Sequence, residues 1–326
     1  MITWMPAAAF RPTALTHEAC PVCEAAIGPA AAFVRYDPFV LVLCPDCGFV
    51  FVGNPLAPAE LDDYYRNSFA RDNEAAYHAM QRDNARTNMR WLRRHAPIAA
   101  ALRGGARPTA LDAGAGFGYL LAQLQPWGFD GVGIEPSPFQ RRFGEERLGV
   151  RFADQSLETL ADRGDRFDLI TLCDVIEHIV QPRPLLATCA RLLKPEGRLV
   201  VKTDNFQGTV ARLMGLHFYR QSPIEHVSQF SPAVLDRLAT AVGLRSEATF
   251  TWTPASAMRW AVKFRVVSAL GRQPPLPDPK ARSQVGRPPS RLAEMTSPLF
   301  ALATIPIDRL GRGVEFMMIL KRDSRC

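Results

Sequence analysis

The sequence has no uninterrupted apolar run near the roughly 18 residues that a membrane-spanning helix needs, so an integral helical membrane protein is not expected. Met1 to Ala19 lacks a basic stretch leading into an apolar core, and no secretion signal is read there. With no oxidising destination expected, the seven cysteines are not read as a disulfide framework. Positive charge is scarce in the first sixty residues, where Arg11 and Arg35 stand against Glu18, Glu24, Asp37, Asp46 and Glu60 for a balance of −3. A nucleic-acid reader at that end would need the opposite balance. The chain as a whole carries +7, and the excess sits in residues 255–326, with 13 Lys/Arg against 5 Asp/Glu. What remains is a 326-residue chain with 47% apolar and 22% charged residues. That is ordinary for a cytoplasmic globular protein of one large domain and one or two small modules.

Four cysteines form two C-x-x-C pairs, Cys20/Cys23 and Cys44/Cys47, each with proline after its first cysteine. Two such pairs on tight turns can set four thiolates tetrahedrally around Zn²⁺, and Gly48 lets the second turn close. The β-rich segments Ala32 to Tyr36 and Phe39 to Leu43 lie between them, which predicts a zinc ribbon over residues 1–57. Four Cys ligands leave no open coordination position, so the metal is assigned to folding rather than to catalysis. Cys173, Cys189 and Cys326 stand apart.

The stretch Leu111-Asp112-Ala113-Gly114-Ala115-Gly116-Phe117-Gly118 reads as a strand, a tight turn and a helix start. Glycines are used there so that a ligand can approach bare backbone at a helix N-terminus. A dinucleotide fingerprint wants its third glycine one residue later, where Tyr119 stands. Regular strand and helix alternation follows, with strands predicted at 109–112, 131–134, 150–153, 167–172, 199–201, 246–252 and 314–320. This pattern predicts a doubly wound sheet. Glu135 follows the second strand about twenty residues beyond the glycines, where an acid can accept hydrogen bonds from both ribose hydroxyls.

Phe167-Asp-Leu-Ile, Cys173-Asp174-Val-Ile-Glu177-His178-Ile and Lys194-Pro-Glu-Gly197 complete a series that runs over residues 108–204. In order, spacing and residue type this series resembles class I S-adenosylmethionine (SAM) methyltransferases. The order C-x-x-C-Gly, apolar strand, Asn54-Pro55, then a helix with Tyr64-Tyr65 is similar to the lead-in of zinc-ribbon methyltransferases from glycan and natural-product pathways. The resemblance implies a Rossmann-like α/β fold with a seven-stranded sheet and helices on both faces, preceded by the ribbon. It implies a helical lead-in at 58–104, a SAM-binding domain at 105–254 plus 314–326, and a basic, Pro-rich and helical insertion at 255–313. It further implies SAM held by Asp112, Gly114, Gly116, Gly118 and Glu135, with Asp154 toward the adenine and Cys173 and Asp174 beside the donor.

Methyl transfer from a sulfonium is an in-line displacement, helped by one base when the acceptor must lose a proton. His178, His226, Tyr64 and Tyr65 are the catalytic candidates. Three of them have a structural alternative: His178 can open a helix, and the tyrosines can pack one. Asp154 can likewise cap the helix after it. The expected partner is a small-molecule acceptor, a sugar, glycan or natural product, free or lipid-linked. The alternatives are an RNA methyltransferase, disfavoured by the acidic ribbon, and a SAM-binding protein without turnover. The basic insertion is read as a lid or as a peripheral contact with the inner face of a membrane.

Overall fold

The computed structural model describes residues 17–28, 32–36, 39–67, 74–95, 98, 107–215, 218, 223–271 and 302–324. Ten strands are described: β1 (Ala32–Tyr36), β2 (Phe39–Leu43), β3 (Val50–Val52), β4 (Thr109–Ala113), β5 (Asp130–Ile134), β6 (Phe167–Cys173), β7 (Leu193–Asp204), β8 (Ser228–Gln229), β9 (Leu244–Trp252) and β10 (Glu315–Arg322). The central sheet has the order β5-β4-β6-β7-β10-β9. Its first four strands are parallel, and β10 runs antiparallel to both β7 and β9. Asp112 on β4 pairs with Gly133 of β5 and Thr171 of β6, which levels the C-terminal ends of these strands. Strand order reverses at β4, with β5 added on one side and β6 on the other, so those ends frame the crevice where α/β sheets take ligands.

Six strands pair in this sheet where seven were expected. The predicted strand at 150–153 is reduced to a single bridge between Gly133 and Phe152. Gly133 N donates to the Arg151 carbonyl and Ala153 N donates to the Gly133 carbonyl, both at 2.8 Å. The Phe152 ring fills the space beside Gly133 and Gly144 that a side chain there would need. Asp154 then turns out to solvent, so no ladder extends from that one pair.

The sheet is buried on both faces, and alternation along its strands divides the core. Val200, Met317 and Ile319 point to one side, against Met89 and Leu92 of helix Glu74–Leu92 and Leu120 and Leu124 of helix Tyr119–Leu124. Leu199, Val201, Phe316 and Met318 point to the other, against helices Pro182–Leu192 and Pro232–Ala241. Ser231 caps the latter, its hydroxyl accepting from Val234 N, and Pro232 follows at the first helical position.

The cysteine module is built into this second core. Cys20, Val22, Cys44, Phe49 and Phe51 belong to the same apolar cluster as Leu172 and Leu199. Its sheet, β1-β2-β3-β8, takes its last strand from residues 228–229. Val52 N donates to the Val227 carbonyl at 2.8 Å, and the Phe49 and Phe230 rings lie 5.1 Å apart. The module therefore holds the segment that carries His226. Among the described residues, no helix is long and apolar enough to cross a membrane. The side chain of Tyr64, residues 272–301 of the insertion and Cys326 lie outside the described residues.

Candidate functional site

The four thiols of the N-terminal module converge. Cys20 Sγ lies 3.6 Å from Cys47 Sγ, and Cys23 Sγ lies 3.6 Å from Cys44 Sγ, with all four ligand atoms within 4.8 Å of one another. A tetrahedral zinc with Zn–S of ~2.3 Å requires S···S separations of roughly 3.8 Å, so the cluster fits that ion. The two knuckles are built alike. The Cys20 carbonyl accepts from Glu24 N and the Cys44 carbonyl from Gly48 N. Glu24 and Gly48, each directly after the second cysteine of its pair, both adopt positive φ, 62° and 72°. The sequence flagged only the glycine.

At the C-terminal end of β4 the three glycines take positive φ, 77°, 55° and 81° at Gly114, Gly116 and Gly118. A Cβ on Gly114 would overlap Val175, and one on Gly116 would sit 2.6 Å from Gln81 Oε1. Gly114 N and Ala115 N both donate to the Ile134 carbonyl, at 2.8 and 3.0 Å, which folds the loop onto the end of β5. There Glu135 accepts from Gly116 N and Ser137 N, each at 2.9 Å. Burial holds its carboxyl above the usual range, although those two N–H donors oppose the shift. Asp112 is buried beneath the loop, where Thr171 donates to it at 2.6 Å. Burial pushes its carboxyl up to about 6, against that hydrogen bond.

Helix Glu74–Leu92 covers this loop. Phe117 N donates to Gln81 Oε1 at 3.3 Å, and Gln81 Nε2 donates to the Tyr77 hydroxyl at 2.7 Å. His78 stacks on Phe117 and Phe143, with centroids 3.9 and 4.3 Å away. The sequence marks this helix only as part of the helical lead-in at 58–104, with no site residue on it. The available signal was the i, i+4 pair Tyr77 and Gln81 on one helix face.

The turn after β6 joins the glycine loop to a second cluster. Asp174 has φ 58°, and its N donates to the Lys202 carbonyl at 2.9 Å. Lys202, buried, donates to Asp174 Oδ1 at 2.5 Å and to Glu315 Oε2 at 3.1 Å. Val175 meets Gly114, and the one-turn helix Ile176–His178 follows at once. His178 Nδ1 is 2.7 Å from the Glu225 carbonyl and 3.0 Å from the Tyr65 hydroxyl. A carbonyl only accepts, so Nδ1 carries the proton and the lone pair of the neutral ring is on Nε2. Burial, then the charges of Glu225 and Glu177, push the Tyr65 phenol up well beyond its ordinary value, so it works as a neutral hydroxyl.

The His178 and His226 rings meet edge to face with centroids 4.9 Å apart. His226 Nδ1 lies 3.6 Å from Asp204 Oδ2 at the end of β7, both side chains buried. Glu177, also buried, accepts from Thr203 Oγ1 at 2.8 Å. Burial and the nearby Asp174 and Asp204 hold its carboxyl above the usual range. Glu177, Asp204 and Glu225 were in view in the sequence but were given no role.

Of the predicted site residues, the structure gathers Asp112, the glycines, Glu135, Cys173 and Asp174 at one edge, with Tyr65, His178 and His226 beside them. Cys173, half-buried, has its thiol pushed up by burial and then by Asp112 and Asp174. Asp154 stands apart, its side chain 89% exposed and paired with Arg141 at 2.9 Å. Tyr64 shares its helix with Tyr65.

The glycine loop after β4 faces an acid at the end of the neighbouring strand, and comparison with known proteins gives the family. Residues 80–249 match the family described as methyltransferase domain. The chain belongs to this family, in its class I, SAM-dependent form. It is 27% identical over 146 residues to the ubiquinone biosynthesis O-methyltransferase of Coxiella burnetii, covering 41% of this chain and 62% of the relative. It is 33% identical over 100 residues to that of Azorhizobium caulinodans, covering 29% of this chain and 40% of the relative. The chain thus spans at most about three fifths of the length of these relatives. Among solved structures it is similar to magnesium protoporphyrin IX methyltransferase of Synechocystis, at 17% identity and TM-score 0.44, covering 59% of this chain and 92% of that one. It is also similar to a cyclopropane synthase of Mycobacterium tuberculosis, at 16% identity and TM-score 0.43, covering 66% and 79%.

Proposed function

We propose that the protein is a SAM-dependent methyltransferase acting on a small-molecule acceptor, a sugar, glycan or natural product, free or lipid-linked, methylated at a hydroxyl or a carbon. The observation that carries the reading is the Glu135 carboxylate, fixed by Gly116 N and Ser137 N over a loop of three positive-φ glycines. An acid so held can exchange those amide contacts for a ribose diol, and the bare loop admits a nucleoside. When bound, SAM supplies an electrophilic methyl group on a good leaving group. Gly114, Gly116, Gly118 and Glu135 would bind it, with Asp112 bracing the loop from below and Cys173 and Asp174 lining the donor side. Asp154 is assigned to the adenine end, reached from the rim. The names of the curated relatives support a small acceptor.

On the acceptor side, His226 is the base in this reading. Asp204 faces its Nδ1 and would stabilise the imidazolium formed when a proton is taken. His178, pinned by the Glu225 carbonyl, and Tyr65, a neutral hydroxyl, orient the acceptor, with Tyr64 as a further pocket wall. The four cysteines hold structural Zn²⁺, which shapes the sheet that presents His226.

Calorimetry with S-adenosylhomocysteine tests the donor site. Wild-type protein should bind it, and Glu135→Ala should weaken binding by at least about tenfold, the loss of one charge-assisted hydrogen bond or more. Unchanged affinity in the variant would sink the assignment.

A further inference from the structure

Helix Ala255–Ala269 is apolar on two opposite faces. Ala257, Met258, Ala261 and Phe264 are buried in a cluster with Val210, Met214 and Val314. On the other side Val262, Val266 and Leu270, four residues apart, form an exposed stripe, with Val266 54% and Leu270 71% exposed. The helical segment 302–309 repeats the arrangement. Ile307 packs on the same cluster, while Leu302, Ile305 and the following Leu310 are exposed. Six of the nine large apolar side chains exposed among the described residues are on these two segments, and a seventh, Leu213, is on the adjoining helix Thr209–Met214. A concentration of this kind marks a surface that is covered in use.

Charge decides what covers it. Residues 255–271 contain Arg259, Lys263 and Arg265 and no acid. Lys263, Arg265, Arg309 and Arg312 are exposed. The one acid of 302–312, Asp308, is turned inward, accepting from Thr253 Oγ1 at 2.7 Å. By sequence, the intervening residues 272–301 add five Lys/Arg against two acids. A second copy docking through the same patch would set these cations against themselves across a two-fold axis. A membrane surface carrying anionic lipid complements both features, taking the apolar stripe at the acyl boundary and the cations at the headgroups. We infer that helix Ala255–Ala269 and segment 302–310 form an interfacial docking surface for anionic lipid bilayers, on which the protein sits peripherally. This deepens the reading of a lipid-linked acceptor by naming where the membrane is met. It rests on that reading only for its purpose, since the surface exists whatever the acceptor.

The test is flotation of the full chain with vesicles of phosphatidylcholine alone and of phosphatidylcholine with phosphatidylglycerol. Binding should be at least about tenfold stronger to the anionic vesicles, since each Lys/Arg near such a surface is worth about fivefold in partitioning (~1 kcal/mol each). It should fall steeply as salt rises from about 0.1 M to about 1 M, where the screening length drops from ~10 to ~3 Å. Val266→Asp with Leu270→Asp should lower binding by about tenfold or more, with the thermal melt and S-adenosylhomocysteine affinity unchanged because both residues are exposed. Failure to float, or equal binding of wild type and double variant, overturns the inference. So does light scattering that shows a dimer dissociated by the same variant, which would give the patch to self-association. Intact S-adenosylhomocysteine binding in a protein that ignores vesicles would sink the membrane surface and leave the methyltransferase reading standing.

Discussion

Asp204 and the Glu225 carbonyl give the two histidines different surroundings. His178 has its Nδ1 proton committed to a backbone oxygen, so its ring is fixed in place and in tautomer. His226 faces a carboxylate that would welcome a positive charge. Replacing His226 by Asn should therefore lower kcat by about 10²- to 10⁴-fold, the usual worth of a positioned base. Donor affinity should stay unchanged. His178→Asn, which removes a positioning ring, should act mainly on KM for the acceptor. Steady-state kinetics of the two variants, read beside S-adenosylhomocysteine titrations, separates the roles. A kcat unaltered by His226→Asn would remove the base from this position. At this scale the loop and acid of the proposed donor site could be picked out from the sequence because these residues lie close together along the chain, Glu135 within about twenty residues of the glycines. The cluster proposed for the acceptor draws on Tyr65, His178, Asp204 and His226. Sequence spacing carries no information about such distant pairings, so the partners Asp204 and Glu225 went unassigned. Gln81, which meets the glycine loop from the covering helix, was missed for the same reason.

The elements were mostly recoverable because their hydrophobic periods are clean. β10 and the apolar part of β7 alternate between two buried faces, and their runs stand out. The strand expected at 150–153 did not form a ladder because only Gly133 on the edge of β5 receives it. The cysteine module shows the opposite case: the two Cys pairs that cluster in it were plain in the sequence, yet its fourth strand comes from residues 228–229. That pairing ties the cysteine cluster to the segment that carries His226, the proposed acceptor side. Removing the ion should loosen β1, β2 and β3, and with them β8 and the His226 segment packed through Phe49 and Phe230. Stripping with a strong thiol-directed chelator should release about one zinc per chain and lower the melting temperature. Turnover should fall far more than S-adenosylhomocysteine affinity, since the glycine loop is held from β4 and β5 instead. Equal loss of both would mean that the module supports the fold as a whole rather than the acceptor side.

Across the whole molecule, the edge of the central sheet is held by charge as well as by its ladders. Glu247 on β9 binds Arg198 of β7 through Nε at 2.6 Å and Nη2 at 3.1 Å, and Lys321 of β10 at 2.9 Å. One carboxylate thus spans the three strands that close the sheet. Partial burial disfavours its ionised form. The hydrogen bonds and charges of Arg198 and Lys321 outweigh that and bring its carboxyl down from 4.5 to about 2. A depressed carboxylate contributes stability above its unfolded value, and that contribution is lost as pH falls through the folded value. Glu247 should therefore stabilise the fold fully above about pH 5, less at each step below, and hardly at all near pH 2. The contribution is at most about 3.5 kcal/mol at neutral pH, from a fall of about two and a half pH units at ~1.4 kcal/mol each, and solvent screening lowers it. Glu247→Gln keeps the shape and removes the charge. Urea unfolding of wild type and variant should show the largest gap in midpoint at neutral pH, narrowing between about pH 5 and pH 3. A gap that stays constant with pH would show that the side chain contributes packing and neutral hydrogen bonds, and that the charge on it does not tie the strands together.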